Sequence, residues 1–368
     1  MADFAIGVDL GGTNLRIAAV DDSGRLLEKV TTGTQVALGR DHVINEMCEA
    51  ILHLAMKFQA SSSSLRGIGI GVPGIIDMST GMVYQSPNLP DWRDYPVRDE
   101  IEGRLNTRVI LENDANSAAM GEKWLGAARD ATDMAMLTLG TGVGGGLVIN
   151  DRIWHGMTGM ANEFGHTTVD PHGPPCPCGN VGCVEQFASA KSIVRMANEA
   201  IRSGTAPQLQ TVASSDPEFS AKAVYNLAIQ GDKPAQEIFH RVGQALGIAL
   251  ATLINGLNLP MYVIGGGVAS AWDAFAPAML AELRWRSMVY AATNPDEPSG
   301  SELSDATAQV PARASGQTSG QMPSGSLKRT IVTRALLGSD AGLYGAARLP
   351  MLPEEARATT ARSERLRA

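Results

Sequence analysis

Twice in this chain a short apolar run meets a glycine-rich turn and resumes at once as a second apolar run. Residues 4–10 read as a buried strand with Asp9 near its end, Gly11, Gly12, Thr13 and Asn14 turn the chain, and residues 15–20 run back. A third strand, 26–31, follows a turn at Gly24. Residues 134–139 enter the second such turn at Gly140, Thr141 and Gly142, continue through Val143 to Gly146, and leave as a strand at 147–150. Strand, glycine turn, strand is a hairpin. That excludes the strand-to-helix turn of a dinucleotide fold, and the lysine of a Walker loop is missing. Glycine amides in such a turn can face phosphate oxygens with no side chain in the way, and Asp9 at the strand end could hold a magnesium ion through water. Each turn taken singly also fits a plain tight hairpin. A third cluster, Gly265, Gly266 and Gly267, ends a strand at 261–264 after a helical pattern at 233–257. It suits the adenosine end of a nucleotide triphosphate gripped by the other two, and the order and spacing of all three carry more weight than any one.

Residues 162–185 hold the densest chemistry. Glu163, His166, Cys176, Cys178, Cys183 and Glu185 fall there, including three of the chain's four cysteines. One imidazole and three thiols are the borderline and soft ligands that a tetrahedral zinc ion prefers, and a closed shell of four reads as structural. Gly179 and Gly182 permit the tight reversals that convergence needs. The alternative is a disulfide or unrelated thiols, although a bridge between Cys176 and Cys178 would be strained. With one ring nitrogen on the metal, His166 could aim the other at a ligand, flanked by Glu163 and Glu185. The metal would then brace a polar substrate pocket.

Residues 108–112 form a predicted strand running into Asn113, Asp114, Ala115 and Asn116, with a helix expected over 118–125. A carboxylate at such a junction is held by rigid elements yet faces a crevice, which makes Asp114 a candidate general base. On spacing alone, Asp114 or Asn113 could equally be a helix cap. The polar and aromatic loop 86–92 could wall a pocket or cover the domain edge. At 41–59, Val43, Ile44, Met47, Ile51, Leu54, Ala55 and Phe58 recur at helical spacing, which is core. Cys48 in the same helix reads as a small buried apolar residue.

Length and charge bound the rest. A chain of 368 residues with 44% hydrophobic content suits two globular domains. A formal charge of −8 argues against nucleic acid as a partner. No run approaches the ~18 apolar residues of a membrane span, and the N-terminus lacks a signal peptide's basic region and cleavage site, so no membrane association and a cytoplasmic protein are expected. Residues 292–327 have the composition of a disordered insertion. A strand at 328–334 and a helix at 340–348 follow, and the arginine-bearing tail beyond Pro350 reads as a solvated or frayed end.

Taken together, the Asp9-Leu10-Gly11-Gly12-Thr13, Glu112-Asn113-Asp114-Ala115-Asn116 and Glu163-Phe164-Gly165-His166 strings, the glycine runs at 140–146 and 265–267, and the cysteine run ending in Glu185 resemble the ROK sugar kinases and repressors over roughly residues 4–290 and 328–349. The resemblance implies an α/β chain with the actin-like and hexokinase-like ATPase fold, in which two domains of RNase H-like mixed sheets flank an interdomain cleft. The small domain would be 1–120 with 335–368 packing back, and the large one 121–334. It implies ATP with Mg²⁺ on the glycine turns, Asp114 taking a proton from a sugar hydroxyl, and a hexose gripped by Asn113, Glu163, His166 and Glu185. It also implies structural Zn²⁺ and a homodimer. The 112–116 string looks most like that of glucokinases, so glucose is the first choice, ahead of N-acetylmannosamine, fructose and mannose. Asn162 departs from the family, which usually has glycine there; asparagine tolerates left-handed backbone angles, so the turn should survive while sugar preference could shift. Some relatives are sugar-sensing regulators with a helix-turn-helix ahead of the first hairpin, whereas here that strand starts within four residues of Met1.

Overall fold

The computed structural model describes residues 3–60, 63–86, 88–295 and 328–353. Pro87, most of the 292–327 segment and the tail from 354 onward lie outside the described residues. The strands are β1 (Phe4–Leu10), β2 (Asn14–Asp21), β3 (Leu26–Gly33), β4 (Leu65–Val72), β5 (Ile75–Asp77), β6 (Met82–Gln85), β7 (Val109–Asn113), β8 (Met134–Leu139), β9 (Val143–Ile149), β10 (Arg152–Ile153), β11 (Met261–Gly265) and β12 (Ile331–Arg334). The helices are α1 (Arg40–Gln59), α2 (Val97–Leu105), α3 (Asp114–Trp124), α4 (Glu185–Ala188), α5 (Ala190–Arg202), α6 (Pro207–Ser215), α7 (Ala221–Ile229), α8 (Lys233–Leu257), α9 (Trp272–Arg286), α10 (Met288–Thr293) and α11 (Ala341–Arg348). The segment expected to begin at Ala292 as an insertion is still helical there, because α10 runs to Thr293, capped by the Ser287 side chain on the Tyr290 amide. Among the described residues no helix is long and apolar enough to cross a membrane.

By internal packing the chain divides into two units, one of Met1–His166, Met261–Ser270 and Val332–Ala368, the other of Thr167–Pro260 and Ala271–Ile331. The first unit holds two five-stranded sheets, ordered β3-β2-β1-β4-β7 and β10-β9-β8-β11-β12. Each is laid out third, second, first, fourth, fifth along its own stretch of chain, and each opens with an antiparallel hairpin beside a parallel neighbour. The hairpin is the element the sequence repeats, and the sheet around it repeats too.

Apolar faces assemble these sheets as their periodicity requires. Val43, Ile44, Met47, Ile51 and Leu54 of α1 are buried in one core with Ile6, Val8, Ile17, Ile68 and Ile70. Leu89 and Trp92 of the 86–92 loop join that core, so those residues cover the sheet. Asn88 does something else: a Cβ on Gly12 would sit 2.9 Å from its own Cβ, so it abuts the first glycine turn. Cys48 is buried as expected, and burial pushes its thiol up to about 11.

The glycine run 140–146 is only partly a turn. Gly140, Thr141 and Gly142 reverse the chain, while Val143 to Gly146 already belong to β9. Their lack of side chains serves packing. A Cβ on Gly144 would come within 2.8 Å of the Ala115 Cβ, and one on Gly146 within 2.9 Å of the Ala115 carbonyl. Small residues let α3 lie against β9, and α3 correspondingly begins at Asp114, four residues earlier than its apolar pattern suggests. On the other side α3 meets α11 through Gly121 and Gly345, where a Cβ would collide with the Ala341 and Ser117 carbonyls. The fully buried Glu122 of α3 is satisfied by the amides of Ala127 at 2.8 Å, Leu336 at 3.1 Å and Leu337 at 2.7 Å, which ties the segment between β12 and α11 to this helix. That carboxylate is structural.

The second unit is helical. Its long helix, α8, starts at an Asp232 cap on the Ala235 amide (3.0 Å) and stops at Asn258 with φ 48°. Gly243 and Gly247 bring it close to α9, where a Cβ on Gly243 would lie 2.8 Å from that of Ala278.

Two glycine substitutions separate packing from propensity. Gly345→Ala should destabilise the protein by about 1–3 kcal/mol through overpacking. Gly103→Ala, in α2 with nothing within 4 Å of the new methyl, should stabilise it by about 0.4–1 kcal/mol. Urea titrations that rank the two the other way would contradict this account of the α3–α11 contact.

Candidate active site

Strand register puts the catalytic candidates on one sheet edge. β1, β4 and β7 are parallel, with Asp9 opposite Gly71 and Gly71 opposite Glu112. Asp9 and Asp114 therefore leave the same carboxyl edge, one strand apart, where ligands of α/β sheets usually bind. In the second sheet β8 and β11 are also parallel, Thr138 facing Gly265. The turn at Gly140 and the cluster Gly265–Gly267 thus share an edge, and Gly266, with φ 83°, lies against the Leu139 backbone where a side chain would clash. The Ala115 contact with Gly144 links the two edges. The turns themselves differ by one residue, with Gly11 N–H closing on the Asn14 carbonyl at 2.9 Å and Gly140 N–H on that of Gly142 at 2.9 Å.

The cap belongs to Asn113. Its Oδ1 accepts from the amides of Ala115 (2.9 Å) and Asn116 (3.2 Å), and its Nδ2 donates to the Gly74 carbonyl at 3.2 Å. Asp114 shares the Ala115 amide through Oδ1 at 2.9 Å. Burial pushes the Asp114 carboxyl up to about 6, with Asp9 and then Glu163 adding to the rise against the pull of the helix amides. Asp9 is raised as well, by burial first, with Arg16 at 3.0 Å opposing and Asp340 reinforcing. It sits against the first turn of α11, 3.0 Å from where a Gly342 Cβ would be. Glu163 in turn lies 3.9 Å from His166 Nε2. Asp9 and Glu163 both bear on Asp114, and Arg16 pairs with the first of them.

Behind them runs a hydrogen-bonded network that the sequence motifs do not reveal. Glu112, buried at the end of β7, receives His155 Nε2 on Oε2 at 2.7 Å and both Asn113 N (2.9 Å) and Asn116 Nδ2 (3.0 Å) on Oε1. Burial alone would push the His155 imidazole down, but the facing Glu112 outweighs it and holds the group above its ordinary value. Asn116 Oδ1 accepts from Asn162 Nδ2 at 3.1 Å. Asn162 adopts φ 72°, so the left-handed turn expected at that position is present. One signal was available: a glutamate after Val109, Ile110 and Leu111 is a buried charge that must find a partner.

The ligand atoms of His166, Cys176, Cys178 and Cys183 all lie within 4.8 Å of one another. The sulfurs of Cys178 and Cys183 are 3.8 Å apart, far from a disulfide bond and close to the edge of about 3.8 Å that a tetrahedron with ~2.3 Å zinc–sulfur bonds would have. Gly179 and Gly182 take φ of 95° and 62°, the reversals anticipated for them. Burial and the adjoining sulfurs push the Cys183 thiol up to about 12, whereas Cys178 is lowered, first by the backbone amide at Asn180. Thiols crowded in this way suit a cation. Glu185 opens α4 two residues beyond Cys183.

Comparison with known proteins accords with this geometry. The profile of the ROK family matches residues 5–314. A glucokinase of Halalkalibacterium halodurans is 41% identical over 269 residues, 73% of this chain and 81% of that protein. A xylose repressor of Caldicellulosiruptor bescii is 28% identical over 284 residues, 77% of this chain and 71% of that protein. Among solved structures, a ROK family glucokinase from Streptomyces griseus in complex with glucose and AMPPNP matches with a TM-score of 0.71 at 29% identity, covering 94% of this chain and 98% of that one. The paired mixed sheets are those of the actin-like, hexokinase-like ATPase fold.

The raised Asp114 has a consequence for stability. In the fold it titrates at about 6, above the ordinary carboxyl value of 3.8, so the ionised form is penalised above pH 6 and the penalty vanishes below about pH 4. Asp114→Asn should raise the thermal midpoint by several degrees at pH 8 and by nothing near pH 4. A gain that does not depend on pH would mean that the ionised carboxylate is not penalised by burial and its neighbours.

Proposed function

The chain belongs to the ROK family, and from that membership and the site's geometry we propose that it is an ATP-dependent hexose kinase converting glucose to glucose 6-phosphate. The observation that carries the reading is Asp114. It stands at a strand-to-helix junction beside Asp9, its carboxyl poised near 6, ionised at neutral pH yet basic enough to take a proton. Phosphoryl transfer asks for in-line positioning and charge neutralisation more than covalent chemistry.

In this reading Asp114 accepts the proton of the attacking hydroxyl as that oxygen's electron pair forms the new bond to phosphorus. The bond to the β-phosphate oxygen breaks and the electron pair leaves with ADP. Backbone amides of Gly11, Gly12, Thr13 and Asn14 and of Gly140, Thr141 and Gly142 hold the phosphates, and Gly265, Gly266 and Gly267 border the adenosine. Asp9 suits a Mg²⁺ ion held through water, whose contribution is to neutralise phosphate charge. Asn113 has one Nδ2 proton beyond its bond to Gly74, and this, with Glu163, His166 and Glu185, binds the hexose hydroxyls. His166, Cys176, Cys178 and Cys183 fit Zn²⁺, which would fix the His166 ring. The lobes expected at 1–120 with 335–368 and at 121–334, and the homodimer that the family implies, complete the proposal. The likeness to a xylose repressor supports a second reading, in which the same residues sense a sugar without turning it over.

A coupled ADP-release assay over glucose, mannose, fructose and N-acetylmannosamine should show turnover strongest with glucose; no turnover with any of them favours the sensor. Asp114→Ala should lower kcat by about 10²- to 10⁴-fold and leave glucose binding intact, and kcat/KM of the unaltered protein should fall about tenfold per unit below pH 6. Native mass spectrometry should find one zinc per chain that Cys178→Ser loses. A metal-free protein of full activity would remove zinc from the site.

A further inference from the structure

The loop from Trp154 to Asn162 carries the chain from β10 to Glu163, and it is fastened at both ends. Within the loop, Ala161 N–H donates to the His155 carbonyl at 3.2 Å and Asn162 Nδ2 donates to that of Trp154 at 2.8 Å. Toward β7 and α3, His155 pairs with Glu112 and the same Asn162 amide donates to Asn116. Asn162 is the only one of these side chains adjoining Glu163, and the Phe164 amide closes on its carbonyl at 2.6 Å. Its backbone carbonyl also packs on Gly145 of β9.

The polarity of the network is determined throughout. Glu112 only accepts, so the Asn116 amide must turn its NH₂ to it and its oxygen to Asn162. The Trp154 carbonyl only accepts, so Asn162 must present NH₂ to both partners. Glycine would supply the left-handed backbone at this position but none of these bonds. We propose that Asn162 is a positioning residue for the hexose site, a latch that fixes the Glu163 carboxylate relative to Asp114 through Asn116 and Trp154. The inference rests on the hexose-kinase reading and deepens it. Glu163 is tethered from the side of the residues that flank the base, so hexose affinity depends on an amide that does not itself touch the sugar.

Asn162→Gly and Asn162→Asp both tolerate φ 72°, so either should fold. The first deletes the latch. The second sets a carboxylate against the Trp154 carbonyl and reverses the polarity. Glucose dissociation constants by titration calorimetry, with kcat, KM and thermal midpoints, would be measured for the wild type, both variants, Glu163→Gln and the double variant Asn162→Gly with Glu163→Gln. Asn162→Gly should weaken glucose by about fivefold, the size of one to two hydrogen bonds, with kcat within about twofold, and Asn162→Asp should weaken it further. In the Glu163→Gln background Asn162→Gly should cost no further affinity, because the group it positions has gone. Unchanged glucose affinity in Asn162→Gly, a loss that persists in the Glu163→Gln background, or Asn162→Asp binding more tightly than Asn162→Gly would each overturn the inference while leaving an active kinase. A wild type that neither binds nor phosphorylates any hexose overturns both this and the reading beneath it.

Discussion

The burial of ionisable carboxyls at one sheet edge is the constraint around which the first unit is built. Burial is the main cause that raises both aspartates, with Asp340 adding to it at Asp9 and Asp9 and Glu163 adding to it at Asp114. Such an arrangement is costly in an isolated protein and is retained because something elsewhere over-determines it. Arg16 offsets part of the charge on Asp9, and His155 is set against Glu112 just behind. What remains is a group of carboxyls whose chemistry suits cations and hydroxyl donors.

Holding these groups in place falls to backbone more than to side chains. α3 carries Asp114 at its first position and is squeezed between β9 and α11, with Gly144, Gly146, Gly121 and Gly345 removing the atoms that would keep it away. The glycines that read most plainly as a phosphate cradle therefore have two occupations. Gly140 and Gly142 shape the turn, while Gly144 and Gly146 in β9 let α3 lie close and Gly145 makes room for Asn162 and Phe164.

Elements with their own periodicity were legible before any coordinates. β1 and β8 begin and end where their apolar runs do, α8 spans its whole pattern between Asp232 and Asn258, and the four metal-type ligands converge as their spacing implies. Misreadings arose where glycine has two meanings. The 143–146 run looks like loop because glycine disfavours strands, and its reason lies in close neighbours from elsewhere in the chain, α3 against Gly144 and Gly146 and Asn162 and Phe164 against Gly145. The start of α3 was hidden because its first turn, Asp114 to Ser117, has little apolar character of its own. The Glu112, His155, Asn116 and Asn162 network is hidden for another reason: the pairs that bond across it are 43 and 46 residues apart, and no local pattern announces such a pairing.

The choice of Asn113 as helix cap reaches beyond the helix. Its oxygen is spent on two amides and one of its hydrogens on Gly74, so whatever arrives finds only a donor. A hydroxyl meeting that remaining hydrogen must offer a lone pair, which leaves its own proton directed elsewhere. The neighbouring residue in the chain is Asp114. A cap chosen for folding thereby sets which hydrogen-bonding polarity this position has left to offer.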